Sequence, residues 1–201
     1  MAQVPIKEFT KPKVFLVEGK DEEAVIVAIA ERSGRNDIEA RDVGGKNQFK
    51  KKFPPAIKQA SFSSVNCLGI IQDANGDPNA AFQRVSRMLA DHRLPCPAAP
   101  GGFASGGNLR VGVLILPGAG QQGYLEDLFL TAYSGSPELS CVDAFASCCG
   151  AIRPLTTKER AHALLVAIGA PETRLGRAFE SKHINADGPA YTVLRDFVLN
   201  L

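Results

Sequence analysis

The run Val14-Phe15-Leu16-Val17-Glu18-Gly19-Lys20-Asp21 opens with four apolar residues and closes with an acid, a glycine and two charged residues. A short apolar run without polar alternation reads as a strand buried on both faces, the habit of parallel sheets. Residues 22–31 follow as a helix, because Val25, Ile26, Ile29 and Ala30 recur at helical spacing. Asp21, Glu22 and Glu23 suit its positive N-terminal end, and Ser33-Gly34 stops it.

Outward from that unit the alternation repeats. Residues 38–43 read as a second strand, and Gly44-Gly45-Lys46-Asn47 leads into a basic helix with Lys50, Lys51 and Lys52. Pro54-Pro55 is expected to start, kink or break that helix. Residues 65–71 form a third strand ending at Gln72-Asp73-Ala74-Asn75-Gly76-Asp77, followed by a helix over residues 80–92. Residues 94–108, rich in Pro, Gly and Ser, read as a loop. A fourth strand spans residues 111–116. Helices are expected over residues 123–133, 138–149, 158–168 and 190–199. Strands alternating with helices imply βαβ units and an α/β fold with a mainly parallel central sheet flanked by helices. We divide the chain into an α/β core, residues 1–135, and a helical C-terminal extension, residues 136–201. A piece of about 65 residues makes only a marginal core by itself, so the extension is expected to pack on the first part.

Bulk properties bound the function. The chain has 201 residues, 45% of them hydrophobic and 22% charged, with a formal net charge of +2. No strong overall field draws it to nucleic acid or to an anionic membrane. The N-terminus lacks a signal-peptide core, and no run approaches the roughly 18 apolar residues that span a bilayer. The five cysteines, two of them adjacent at Cys148 and Cys149, form no disulfide framework and read as reduced thiols in a cytoplasmic protein. Cys141, Cys148 and Cys149 lack zinc-finger spacing, His162 and His183 supply no partner pattern, and small core residues are the expected reading. Neither a Gly-x-Ser-x-Gly elbow nor a full P-loop is present.

In open parallel sheets ligands bind beyond the carboxyl ends of the strands. Here those ends carry Glu18-Gly19, Asp73-Ala74-Asn75-Gly76-Asp77 and Pro117-Gly118, with Glu126 and Asp127 one helix entry later. Carboxylates on neighbouring strands repel unless one takes up a proton or a cation compensates. A hard divalent cation such as Mg²⁺ or Mn²⁺ fits oxygen ligands of this kind and can activate water near a phosphate. Each stretch alone also reads as an ordinary turn with a helix-capping acid. The pair, each directly after an apolar strand, is the more specific signal.

Residues 14–21 and Leu68-Gly69-Ile70-Ile71-Gln72-Asp73-Ala74-Asn75 together resemble the Toprim fold. Topoisomerases, primases, recombination-associated proteins and the overcoming-lysogenization-defect (OLD) nucleases share it. Its pattern is a hydrophobic strand ending in Glu-Gly and a later one ending in Asp-x-Asp. Residues 118–128, with Tyr124-Leu125-Glu126-Asp127-Leu128, are similar to the segment that supplies a further acid near the OLD group. The resemblance covers roughly residues 10–135 and looks like a stand-alone branch of the superfamily. It implies a Toprim/Rossmann-like sheet, Glu18 as general acid/base or metal ligand, Asp73 as metal ligand and Glu126 as a further acid. Asn75 stands where the pattern has its second aspartate, and Asp77, two residues on, is the candidate substitute.

The resulting expectation is Mg²⁺- or Mn²⁺-dependent phosphoryl transfer on nucleic acid, most simply phosphodiester hydrolysis. The competing expectation is a non-catalytic binding or interaction protein on the same fold. Lys182 is a candidate for stabilising phosphate charge, and Lys20 and Lys46 are candidate backbone contacts. A solvated helix face is the plainer reading of Lys46, Lys50, Lys51 and Lys52. Nucleic acid is a candidate partner, a membrane is not, and a homo-oligomer is compatible with the sequence.

Overall fold

A computed structural model describes residues 6–150 and 153–201, except for the side chain of Lys46. Five strands, β1 (Lys13–Val17), β2 (Ile38–Asp42), β3 (Cys67–Asp73), β4 (Phe103–Gly106) and β5 (Leu109–Leu116), form one sheet in the order β2-β1-β3-β5-β4. All pairings are parallel except that of β4 with β5. The helices are α1 (Lys20–Arg32), α2 (Lys46–Ile57), α3 (Pro78–Asp91), α4 (Leu125–Ala132), α5 (Pro137–Gly150), α6 (Thr157–Ala167), α7 (Leu175–Glu180) and α8 (Thr192–Asn200).

Strand alternation sorts the core onto two faces. Phe15, Val17, Ile71, Leu114 and Leu116 point to one side, where α1, α4, α6, α7 and α8 cover them. Val14, Leu16, Leu68, Ile70, Val111 and Val113 point to the other, against Phe49 and Phe53 of α2 and Phe82, Val85 and Leu89 of α3. The chain leaves β1 for β2 in one direction, then returns past β1 to β3 with its helix on the opposite face. The gap above β1 and β3 is therefore the switch point of the sheet.

The first face contains a glycine slot. Gly69 and Gly112 stand opposite each other in the β3–β5 register. Phe197 of α8 lies edge-on to Phe15 at 6.1 Å and stacked on Phe103 of β4 at 5.3 Å. A Cβ at Gly69 would lie 2.3 Å from Phe15 Cδ1, and one at Gly112 would lie 2.8 Å from the Phe103 ring.

Four features depart from the sequence expectation. Residues 94–108 are not all loop, because β4 lies within them, fastened by Phe103 in the glycine slot and by Arg110, whose guanidinium sits 4.5 Å over the same ring. Pro54 and Pro55 lie inside α2 near its end. They leave the carbonyls of Lys50 and Lys51 without helical donors, and both lysines are exposed, where water can serve instead. The short helix α7 was not anticipated; it packs Leu175, Ala178 and Phe179 into the core. Cys141 and Cys148 are exposed on α5 and Cys149 is half-buried, so they are not core residues. Val142 is buried on that helix.

Among the described residues no helix is long and apolar enough to cross a membrane. The glycine slot sets a packing test. Gly69→Ala forces a methyl into Phe15, and overpacking of this kind costs about 1–3 kcal/mol. Urea unfolding should show a lower midpoint with unchanged slope, whereas an unchanged midpoint would mean the ring relaxes without cost.

Candidate functional site at the carboxyl edge

β1 and β3 are adjacent and parallel, with Val17 opposite Ile71. Glu18 leaves the end of β1 and Asp73 ends β3, so both stand at the switch point. Glu18, Asp73 and Glu126 are all buried. The Glu18 carbonyl accepts a 2.6 Å hydrogen bond from Gly45 N–H, which ties the turn after β1 to the turn after β2.

Gly19 has an extended backbone that any residue could adopt, so its role is space rather than torsion. A Cβ there would lie 2.9 Å from Glu22 Oε2. The missing side chain lets the Glu22 carboxylate fold back over the turn toward Glu18. Glu126 arrives from the first turn of α4, whose entry is fixed by Gly123. Gly123 has φ 135° and makes paired backbone hydrogen bonds with Asn75, each 2.9 Å. Any Cβ at that position would meet Asp127 Oδ2 at 2.4 Å. Asp127 Oδ2 itself accepts from Tyr124 N–H at 2.7 Å, so Asp127 caps the helix and leaves Glu126 as the acid facing the site.

The electrostatics mark these acids as one group. Burial, then repulsion from Glu22, Glu18 and Glu126, pushes the Asp73 carboxyl up to about 8, with Lys158 acting against the rise. Burial also lifts Glu22 to about 7; a backbone hydrogen bond opposes it, while Glu126, Asp21 and Glu18 add to it. Lys158 Nζ stands 3.5 Å from Glu126 Oε1 and 5.7 Å from the centre of the Tyr124 ring. Burial disfavours the Lys158 charge, but Glu126, Asp73 and Glu22 outweigh it and raise the ammonium above its ordinary value. Asp73 Oδ1 and Glu126 Oε2 are buried without a hydrogen-bond partner.

The other expected residues fall elsewhere. Asn75, at φ 55°, turns its amide back to donate to the Asp73 carbonyl oxygen at 3.1 Å. Asp77 is exposed and caps α3, accepting from Ala80 N–H at 2.9 Å. Lys20 is exposed at the start of α1. The Lys46 side chain lies outside the described residues. Lys182 lines a cleft with Glu31 and Arg32, at the end of α1 remote from Glu18. Glu22 and Lys158 were missed. Glu22 had a local signal, lying four residues after Glu18 across a glycine. Lys158 had only the box Thr156-x-x-Glu159, which starts α6 but says nothing of what α6 faces.

Among the described residues no group of three or more His, Cys, Asp or Glu side chains is arranged to hold a metal ion. The donor set still suits a hard cation, since it is all oxygen and two of the oxygens are buried and unpartnered. Mg²⁺ in particular is commonly held by one or two carboxylates while keeping several waters.

The family described as a protein of unknown function, DUF3226, matches residues 12–201. This chain belongs to that family. No curated protein matches its sequence. Among solved structures it is similar to the hypothetical protein PH0156 from Pyrococcus horikoshii OT3, with TM-score 0.63 and 14% identity over 95% of each chain. It is also similar to the C-terminal region of the Burkholderia pseudomallei OLD protein, with TM-score 0.52 and 16% identity over 96% of this chain and 98% of that one. The C-terminal region of the Xanthomonas campestris pv. campestris OLD protein matches with TM-score 0.50 and 15% identity over 96% of each chain. At these identities the likeness is one of fold, and it bears out the mainly parallel α/β architecture.

The raised carboxyls give a pH test in the presence of chelator. Asp73 in the folded chain holds a proton up to about 8, whereas an unfolded aspartate releases it near its ordinary value of 3.8. The folded state thus binds more protons in that window, and stability falls as pH rises through it. Each pKa unit corresponds to about 1.4 kcal/mol, so the loss is on the order of a few kcal/mol. Urea unfolding at about pH 5 and about pH 8 should show this decline in the wild type and a shallower one in Asp73→Asn. Equal slopes would contradict the assignment.

Proposed function

We propose that the protein is a divalent-cation-dependent phosphoryl-transfer enzyme of Toprim type, acting on nucleic acid and most simply hydrolysing phosphodiesters. The observation that carries this reading is that Glu18, Glu22 and Glu126 all repel the buried Asp73 carboxyl, with Lys158 3.5 Å from Glu126. The fold shared with OLD C-terminal regions supports it. Asp73 and Glu126 would hold Mg²⁺ or Mn²⁺, with Glu18 and Glu22 close by. Such an ion, when bound, supplies Lewis-acid activation and binds phosphate oxygens.

The chain's own groups then divide the work. Glu22, poised near neutrality by burial and its neighbours, suits proton transfer at working pH. Glu18 shares that environment and is the second candidate for it. Lys158 supplies a cation at the rim of the cluster, placed to meet a phosphate oxygen.

One observation favours the alternative of a fold that binds without catalysis. Asn75 is neutral and its amide is committed to the Asp73 carbonyl oxygen, so the second Asp-x-Asp position offers no charged ligand.

Thermal unfolding with and without Mg²⁺ or Mn²⁺ tests the ion. Saturating metal at 100 times Kd should stabilise the wild type by about 2.7 kcal/mol, and Asp73→Asn and Glu126→Gln should lose that gain. Metal-dependent cleavage of plasmid DNA or RNA, abolished by Glu18→Gln and Asp73→Asn, would establish the enzyme. A metal shift with no cleavage would leave the binding protein. No shift in the wild type would remove the ion itself.

A further inference from the structure

On the sheet face away from α1, a cavity of about 520 Å³ runs between α2 and α3. It is lined by Lys50 from α2 and by Arg84 and Arg87 from α3. All three are exposed, and among the described residues none makes an ion pair. Phe49, Val85 and Met88 supply an apolar wall. At the floor lies Gln72 of β3, only 5% exposed, with Oε1 buried and without a hydrogen-bond partner.

A buried amide left unsatisfied is costly, so its presence asks for a ligand. Lysine and arginines alone would match any anion. An apolar wall and a carboxamide that both donates and accepts match something more: a planar, polar-edged ring attached to that anion. Glutamine meets adenine in this way through one donor and one acceptor. Asp91, four residues after Arg87 on α3, also borders the cavity, and its carboxylate works against anions there. The three cations Lys50, Arg84 and Arg87 outnumber it, so the lining is positive on balance and suits a phosphate. His92 also lines the cavity, its ring 5.7 Å from that of Phe53.

We propose that the α2–α3 cavity is a nucleotide site, with the phosphate held by Lys50, Arg84 and Arg87 and the base edge read by Gln72. The site is separate from the acidic edge and stands whether or not that edge is catalytic.

Isothermal titration calorimetry with adenosine 5′-monophosphate, adenosine and inorganic phosphate, all in chelator, tests it on the full chain. Saturable binding of the monophosphate, at least about tenfold tighter than either fragment, is expected because wall, amide and cations act together. Arg84→Glu with Arg87→Glu, both at exposed positions, should weaken it about tenfold or more while circular dichroism stays unchanged. Gln72→Leu should weaken the monophosphate but not inorganic phosphate, and Asp73→Asn should leave the affinity unaltered. The proposal is overturned by absence of saturable binding, by phosphate binding as tightly as the nucleotide, or by charge reversal without effect. Loss of nucleotide binding in Asp73→Asn would move the ligand to the acidic edge. Binding of a single-stranded oligonucleotide but no mononucleotide would make the cavity a nucleic-acid groove instead.

Discussion

Carboxylates gathered in a poorly solvated place repel one another, and most of the local geometry above β1 and β3 serves to hold them there despite that. Asp73 is lifted to about 8 and Glu22 to about 7, which records how strongly the site resists full ionisation. An arrangement chosen for stability alone would replace such acids with apolar residues. The surrounding structure instead opposes relaxation. Gly19 makes room for Glu22, the Asn75–Gly123 backbone pair fixes the entry to α4, and Asp127 caps that helix so that Glu126 turns inward. Lys158 adds one positive charge at the N-terminal turn of α6, an end whose dipole disfavours cations. The acids it faces, Glu126, Asp73 and Glu22, offset that cost.

The crossing order of the chain explains why these elements meet. The connection through α1 and the return through α2 lie on opposite faces, so neither of these helices closes the space above β1 and β3. The C-terminal helices then cover the α1 face. Leu164 and Leu165 of α6, Phe179 of α7 and Phe197 of α8 share one apolar cluster with Phe15 and Val17. The same packing that buries the sheet carries Lys158 to Glu126, so residues distant in sequence from the motifs complete the site.

What could be read from the chain follows the range of the interactions concerned. β1, β3 and β5 announce themselves because burial on both faces demands continuous apolar runs. Glu18 and Asp73 were legible because they stand at the ends of those runs, and Glu126 because it opens the helix that follows β5. β4 was hidden: its residues Phe103-Ala104-Ser105-Gly106 have turn-like composition, and the strand is held by the stacking of Phe103 on Phe197 from the far end of the chain. The same limit applies to Lys158, whose partners are tertiary, and to Lys182, whose neighbourhood at Glu31 and Arg32 follows from the packing of α7 on α1. Asn75 and Asp77 take the turn reading of their stretch for a local reason. Asn and Asp commonly hydrogen-bond the nearby backbone in turns, and both do so here.

Strand alternation adds a last constraint. Gln72 and Asp73 are consecutive, so they face opposite sides of the sheet, Gln72 toward α2 and α3 and Asp73 toward α1. Each carries a buried oxygen without a partner. One such atom at a strand end can be tolerated as the incidental cost of a turn. Two in succession, on opposite faces of the sheet, are harder to account for by packing, since an apolar pair would extend the run Leu68-Gly69-Ile70-Ile71 without penalty. The end of β3 therefore gives up stability on both faces of the sheet at once.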